Sequence, residues 1–222
     1  MSLVLLAVDT TSAAGSIVLA DSGRLIEEVS LAAPAEGFAH VLFDEIARLL
    51  ARHGRSLADI DCFASAAGPG SFTGVRVGLT AVKGLAEANQ RKVVAVSNLE
   101  ALAWFGSRPL RVPVLDARRG EIYGGVYDAS LHIVVQEGVM PFEAWIALLA
   151  RLPHGDIEIV TNGFAVPTQP YPLVQAPRAL AGAIAQIAAR RFSEGLAQDP
   201  AEIDANYVRR SDAELLWRDP RA

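Results

Sequence analysis

The run Leu3-Val4-Leu5-Leu6-Ala7-Val8-Asp9-Thr10-Thr11-Ser12 decides the fold. Six apolar residues without charge or alternation read as a buried strand over 3–8, and the carboxylate and three hydroxyls after it read as a tight polar turn. Outward from this run, 15–20 is a second strand, Asp21-Ser22-Gly23 supplies a hairpin turn, and 24–31 returns as a third. The period then changes. Val41, Leu42, Ile46, Leu49 and Leu50 form one stripe at helical spacing, which predicts a helix over 38–52. Strand 61–66, a glycine-rich turn 68–74, helix 75–89, strand 92–96 and a short helix 99–105 complete the set.

The order then repeats. Residues 111–115 are an apolar strand ending in Asp116; 121–127 is a strand ending in Asp128; 131–137 is the third. Asp116 and Asp128 keep the separation of Asp9 and Asp21. Helix 142–152 and strand 157–161 follow. An internal duplication is predicted, with an α/β lobe over 1–106 and a second over 107–222. The second lobe degrades after Thr161. Pro167, Pro170, Pro172 and Pro177 force an extended or looped path. An alanine-rich helix over 179–194 carries Leu180, Ile184 and Ile187 on one face and ends at Gly195. The tail holds one sticky element, Tyr207-Val208-Arg209-Arg210, before residues polar enough to be mobile.

Composition bounds the function. Hydrophobic residues make up 51% of the 222 residues, enough for a packed core and too many for disorder. No apolar run approaches the length of a membrane span, and the N-terminus lacks a basic flank and cleavage site, so a cytoplasmic chain is expected. Cys62 is the single cysteine, which excludes an internal disulfide. The net charge of −5 argues against strong nucleic-acid binding by the chain alone. Arg118-Arg119, Arg190-Arg191 and Arg209-Arg210 read as solvated turns or helix ends.

Two motifs could carry chemistry. Asp9-Thr10-Thr11-Ser12 can hold a magnesium–phosphate unit, or can be a turn whose side chains satisfy their own backbone; the four residues alone favour the second. Gly68-Pro69-Gly70-Ser71-Phe72-Thr73-Gly74 is a forced backbone path that opens a helix, whose N-terminus is a ready anion site. It has no Gly-Lys-Ser/Thr ending and the wrong glycine spacing for a dinucleotide fold. Gly74, Gly78 and Gly84 would let another backbone approach the helix closely, with Val75, Val77, Leu79 and Val82 as a packing face. His40, His53, His132 and His154 include no pair at helical metal-ligand spacing. No serine elbow or triad is visible.

Asp9-Thr10-Thr11-Ser12, Gly68 to Gly78, Lys83-Gly84-Leu85-Ala86, Asp116-Ala117-Arg118-Arg119-Gly120-Glu121-Ile122-Tyr123 and Tyr207-Val208-Arg209 together resemble the TsaB (YeaZ) family, in order, over nearly the whole chain. That resemblance implies two duplicated lobes of the actin-like, Hsp70-like (ASKHA, ribonuclease H-like) fold, each a mixed sheet with helices. It implies a non-catalytic partner of a TsaD-type threonylcarbamoyltransferase in making threonylcarbamoyladenosine beside the tRNA anticodon. A TsaE-type ATPase would join the complex, tRNA would be met only through it, and a homodimer would form when TsaD is missing. ATP with magnesium would sit at a shared interface, with none bound tightly here. TsaD-like paralogues carry a His-x-x-x-His metal pair where this chain has Asn98 and Leu102. No catalytic or metal-ligating residue is assigned. The pairing surface is expected on His40, Val41, Phe43 and Ile46 of one helix and Val75, Leu79, Val82 and Lys83 of the next. The alternative is a stand-alone sugar-kinase-like or ATPase enzyme of the same fold, with Asp9 and the turn at Thr10–Ser12 holding nucleotide and Asp116 as a second acid.

Overall fold

The computed structural model describes residues 2–32, 37–152 and 156–208. His154, the Arg209-Arg210 pair and the rest of the expected mobile tail lie outside the described residues.

Two five-stranded sheets carry the chain. The first is ordered β3-β2-β1-β4-β5, built from β1 (Val4–Asp9), β2 (Ser16–Asp21), β3 (Arg24–Ser30), β4 (Cys62–Ala66) and β5 (Lys92–Val96). The second contains β6 (Leu110–Arg118), β7 (Glu121–Asp128), β8 (Ile133–Pro141), β9 (Ile157–Thr161) and β10 (Leu173–Gln175), in the order β10-β9-β6-β7-β8. The two orders are the same when read from opposite ends, three hairpin-linked antiparallel strands followed by parallel additions. The duplication read from the paired aspartates is therefore a duplication of topology.

Among the described residues five α-helices complete the fold: α1 (Leu42–Arg52), α2 (Phe72–Asn89), α3 (Asn98–Ala103), α4 (Phe142–Leu149) and α5 (Ala181–Ser193). β1 is buried at every position, as its unbroken apolar run requires. α1 and α2 cover the outer face of the first sheet, with Leu42, Ile46, Leu49, Val75, Leu79 and Val82 packed onto Leu6, Val8 and Phe63. α4 covers the outer face of the second through Phe142, Trp145 and Leu149. Gly124 of β7 leaves room for the indole, since a Cβ there would lie 2.9 Å from Trp145.

Packing departs from chain order between the sheets. α5 comes late in the sequence, yet it lies on the first sheet, while α3 packs against the second. Ile184, Ile187 and Ala188 of α5 join Leu99 and Leu102 of α3, Leu5 and Ala64 of the first sheet, and Tyr127 and Val160 of the second in one core. Burial of an isoleucine or leucine side chain contributes about 1.5–3 kcal/mol, so this shared layer binds the two halves strongly.

The boundaries differ from the sequence reading at instructive places. α2 begins at Phe72, three residues early, because Ser71 caps it by accepting from the Gly74 amide. The last three residues of the glycine-rich stretch are thus helix. The helix over 38–52 is a single 3-10 turn, Phe38–His40, followed by α1. The proline-rich stretch contains the short strand β10, and no helix separates β9 from β10 where the first lobe has α2 between β4 and β5.

Candidate functional site

Among the described residues, the β1–β2 turn, the cleft between the lobes and the groove between α1 and α2 each gather polar or exposed apolar side chains.

The turn is the sequence motif Asp9 to Ser12. The amide and hydroxyl of Thr11 both donate to Asp9 Oδ1, at 2.9 and 2.6 Å. Thr10 Oγ1 donates to the Gly74 carbonyl at 2.6 Å, and Asn98 Nδ2 donates to Thr11 Oγ1 at 2.6 Å. Asn98 also accepts from the Gly68 amide at 2.9 Å. The turn, the glycine-rich loop and the start of α3 therefore form one buried network. Asp9, Thr10 and Thr11 are buried, whereas Ser12 is exposed. Burial pushes the Asp9 carboxyl above its ordinary value, opposed by the hydrogen bonds from Thr11 and Asn98. The side chains of Asp9, Thr10 and Thr11 are thus hydrogen-bonded within their own neighbourhood.

The glycine-rich loop has a packing reason for each central glycine. A Cβ on Gly70 would stand 2.7 Å from the Thr11 carbonyl oxygen, and one on Gly74 would stand 2.0 Å from that of Thr10. On Gly78 it would meet Thr10 Oγ1 at 2.7 Å and Ser65 Oγ at 3.1 Å. The close approach predicted for Gly74 and Gly78 is thus made by the chain's own first turn and by β4, not by a second helix. Gly84 differs: nothing lies within 4 Å of the position its Cβ would take.

The inter-lobe cleft has a volume of about 1270 Å³ and runs past Asp9, Ser12, Pro69, Asp116, Arg118, Arg178 and Tyr207. Asp116 is exposed and accepts from the Arg118 amide at 2.7 Å, a hairpin role. The chain's own segment 203–208 crosses the cleft's edge. The Asn206 amide donates to the Ala67 carbonyl at 2.7 Å, Lys83 Nζ donates to the Ile203 carbonyl at 2.7 Å, and Asn206 Nδ2 donates to Glu137. Glu137 of β8 also accepts from Ser97 and Tyr127. One carboxylate so ties β8, the cap of α3 and the C-terminal segment. Nothing in the sequence marked it, because an isolated glutamate on a strand carries no motif.

The arginine pairs need one correction. Arg190 and Arg191 are not merely a solvated helix end. Arg191 reaches Glu100 at 2.6 Å and the Ala95 carbonyl at 2.9 Å, and Arg190 lies 3.9 Å from the same carboxylate. Burial raises the Glu100 carboxyl above its ordinary range, and the two guanidinium groups oppose that rise. Cys62 is fully buried and its thiol is pushed up to about 12 by that burial. Leu102 is buried in the shared core. Among the described residues no three His, Cys, Asp or Glu side chains come together as a metal site would require.

The groove between α1 and α2 has a volume of about 710 Å³. Phe43, Phe72, Val77, Thr80, Gly84 and Leu85 line it, and Arg76 is the charged residue among its walls. Phe43 and Phe72 are 53% and 45% exposed, large values for rings that could have been buried. Arg76 stacks over Phe72 at 3.8 Å, and Phe72 meets Tyr207 at 5.8 Å between ring centroids. The residues expected to form a pairing surface divide here. Ile46, Val75, Leu79 and Val82 are buried in the lobe's own core, which corrects that expectation for these four. Lys83 is spent on Ile203. His40 is exposed, Val41 half-buried, and Phe43 alone of the eight lines the groove. α2 is apolar on two stripes, and the sequence did not show which faces inward.

With this geometry in hand, the class follows: a two-lobed α/β chain in which one five-stranded sheet topology occurs twice. The family model described as "TsaD: tRNA N6-adenosine threonylcarbamoyltransferase" matches residues 34–216. The Escherichia coli (strain K12) tRNA threonylcarbamoyladenosine biosynthesis protein TsaB is 36% identical over 127 residues, 55% of this chain and 54% of that protein. The Bacillus subtilis (strain 168) protein of the same name is 40% identical over 96 residues, 41% of this chain and 42% of that one. The chain thus matches about half the length of these curated relatives. A Pseudomonas aeruginosa crystal structure, described as an uncharacterized protein with similarity to peptidase YEAZ, superposes with a TM-score of 0.77 at 27% identity, covering 93% of this chain and all of that one. The chain belongs to the TsaB/YeaZ family.

Proposed function

We propose that this chain is the non-catalytic partner subunit of a TsaD-type threonylcarbamoyltransferase and supports the formation of threonylcarbamoyladenosine next to the tRNA anticodon. The groove between α1 and α2 carries this reading. It is apolar, open, and rimmed by two half-exposed phenylalanines, the composition expected at the centre of a protein interface. The TsaD-type paralogue occupies that groove, a TsaE-type ATPase joins the pair, and tRNA is met through the complex, in the cytoplasm. Without the paralogue the same face supports a homodimer. ATP with magnesium belongs to a shared interface, and the chain alone holds no cofactor tightly. The closed hydrogen bonding around Asp9 supports this over a stand-alone kinase or ATPase, since the carboxylate is already engaged by Thr11.

Mixing the purified chain with the cognate TsaD-type chain, and following mass by light scattering, tests the reading. A stable heterodimer is expected. Phe43→Glu should weaken it by roughly 30-fold or more, the scale of an interface hot spot of about 2 kcal/mol, since Phe43 lines the groove and is exposed. No association, together with ATP turnover by this chain alone that Asp9→Ala abolishes, would overturn it in favour of the kinase-like enzyme.

A further inference from the structure

We propose that residues 204–208 swing as one gate between the α1/α2 groove and the inter-lobe cleft, caught on the cleft side by Glu137 and on the groove side by Phe72 and Arg76. An occupant of the groove that draws on Phe72 and Arg76 thereby loosens a wall of the cleft. The inference concerns regulation at the proposed partner face and rests on the partner reading only for the identity of that occupant.

The segment that carries the gate is fastened in two different ways. Its first part is stitched down. The Gln198 amide donates to the Val93 carbonyl at 2.8 Å and the Val93 amide donates back at 3.0 Å. The Ile203 side chain is buried in the first lobe's outer core, and Lys83 holds the Ile203 carbonyl. Beyond Ile203, none of residues 204–208 is buried. The Asn206 amide donates to the Ala67 carbonyl at 2.7 Å, and its side chain donates to Glu137. Tyr207 is 48% exposed, rests its ring against Phe72 and accepts from Arg76 Nε at 3.1 Å. A segment with few buried apolar contacts opens at a lower free energy than the fold around it.

The two catches differ. Ser97 and the buried Tyr127 both donate to Glu137 Oε1, which leaves Oε2 for Asn206. Glu137 therefore keeps its place with the gate shut or open, and its charge strengthens the Asn206 bond. On the other side, Phe72 and Thr73 wall both the groove and the cleft, while Asn206, Tyr207 and Val208 line the cleft. One ring thus stands between the two cavities, and Tyr207 leans on it. Under the shut gate the Asn206 carbonyl lies against Gly68, where a Cβ would stand 3.2 Å from it. Opening uncovers Gly68 and frees the Ala67 carbonyl.

Protection factors of single amides, read by NMR hydrogen exchange on the chain alone, test the gate. The amide of residue 206 reports the gate, and the Val93 amide reports the stitched part. Asn206→Ala should lower protection at 206 by roughly tenfold, the scale of one charge-assisted hydrogen bond. Arg76→Ala should lower it by roughly threefold, although Arg76 acts there through Tyr207. Asn206→Asp sets a second carboxylate against Glu137 and should lower it further than Asn206→Ala. Val93 should keep its protection in all three variants. A fall at 206 with Asn206→Ala but none with Arg76→Ala would show two ends moving separately and overturn the gate. An equal fall at Val93 would also overturn it, as loosening of the whole segment. No TsaD-type chain enters the measurement, so a missing heterodimer would leave the gate standing, and a missing gate would leave the partner reading standing.

Discussion

Single residues carry more of this structure than their size suggests. Gly74 sits where a methyl group would lie 2.0 Å from the Thr10 carbonyl, so Gly74→Ala must push α2 off the β1–β2 turn. A loss of about 3 kcal/mol in urea unfolding is expected. Gly84 lies on the same helix with open space beside it, and Gly84→Ala should stabilise the isolated chain by about 0.5–1 kcal/mol through helix propensity. It should also fill part of the groove, so heterodimer affinity should fall while melting temperature rises. Asp9 supplies a pH test. Its carboxyl is raised by burial, so its favourable contribution is present in full below the ordinary carboxylate range and is lost as pH rises through the raised folded value. Asp9→Asn keeps an acceptor for both Thr11 donors. Relative to the parent it should be most stable at neutral pH, with the difference closing on acidification; a constant difference from pH 7 to pH 4 would count against this account. The glycines were visible in sequence as a forced path. What each one touches was not, because contacts across more than 60 residues leave no local pattern.

At the scale of elements, α2 and α5 decide what the first sheet buries and what it leaves open. The inward stripe of α2 is Val75, Leu79, Val82 and Ala86, and the outward stripe is Phe72, Arg76, Thr80 and Gly84. A charge at Val75 or Leu79 would therefore unfold the lobe before it reported on any partner, whereas a charge at the exposed Thr80 would leave folding largely intact. Apolar spacing sets the period of the helix but not its phase, since both stripes contain apolar or small residues. α5 is held at its end by the buried Glu100 of α3. Arg191→Met would leave that carboxylate with the more distant Arg190 and should cost about 2 kcal/mol at pH 7. The cost should shrink as pH falls and Glu100, already raised by burial, takes up a proton. Chemical denaturation at pH 7 and pH 5 measures both numbers.

Across the whole molecule, the two halves are legible in the sequence as a repeat, but their union is not. Matching strands and matching aspartates announce two sheets. Nothing local announces that α5 returns to the first sheet while α3 crosses to the second, because an amphipathic helix does not encode which apolar face it will meet. The exchange has a measurable result: calorimetry should give one cooperative transition, and residues 1–106 alone should expose Leu5, Ala7, Val18 and Ala64 and fail to fold. The missing counterpart of α2 in the second half has a different outcome. A complete duplication would place a sticky trough on each half, and a molecule with two such faces can be strung head to tail without limit. Here the stretch between β9 and β10 is irregular and contains no helix, so the second half lacks the counterpart of α2 that walls the groove of the first. Such a molecule has a valency of one through that face: a pair closes, and growth stops there.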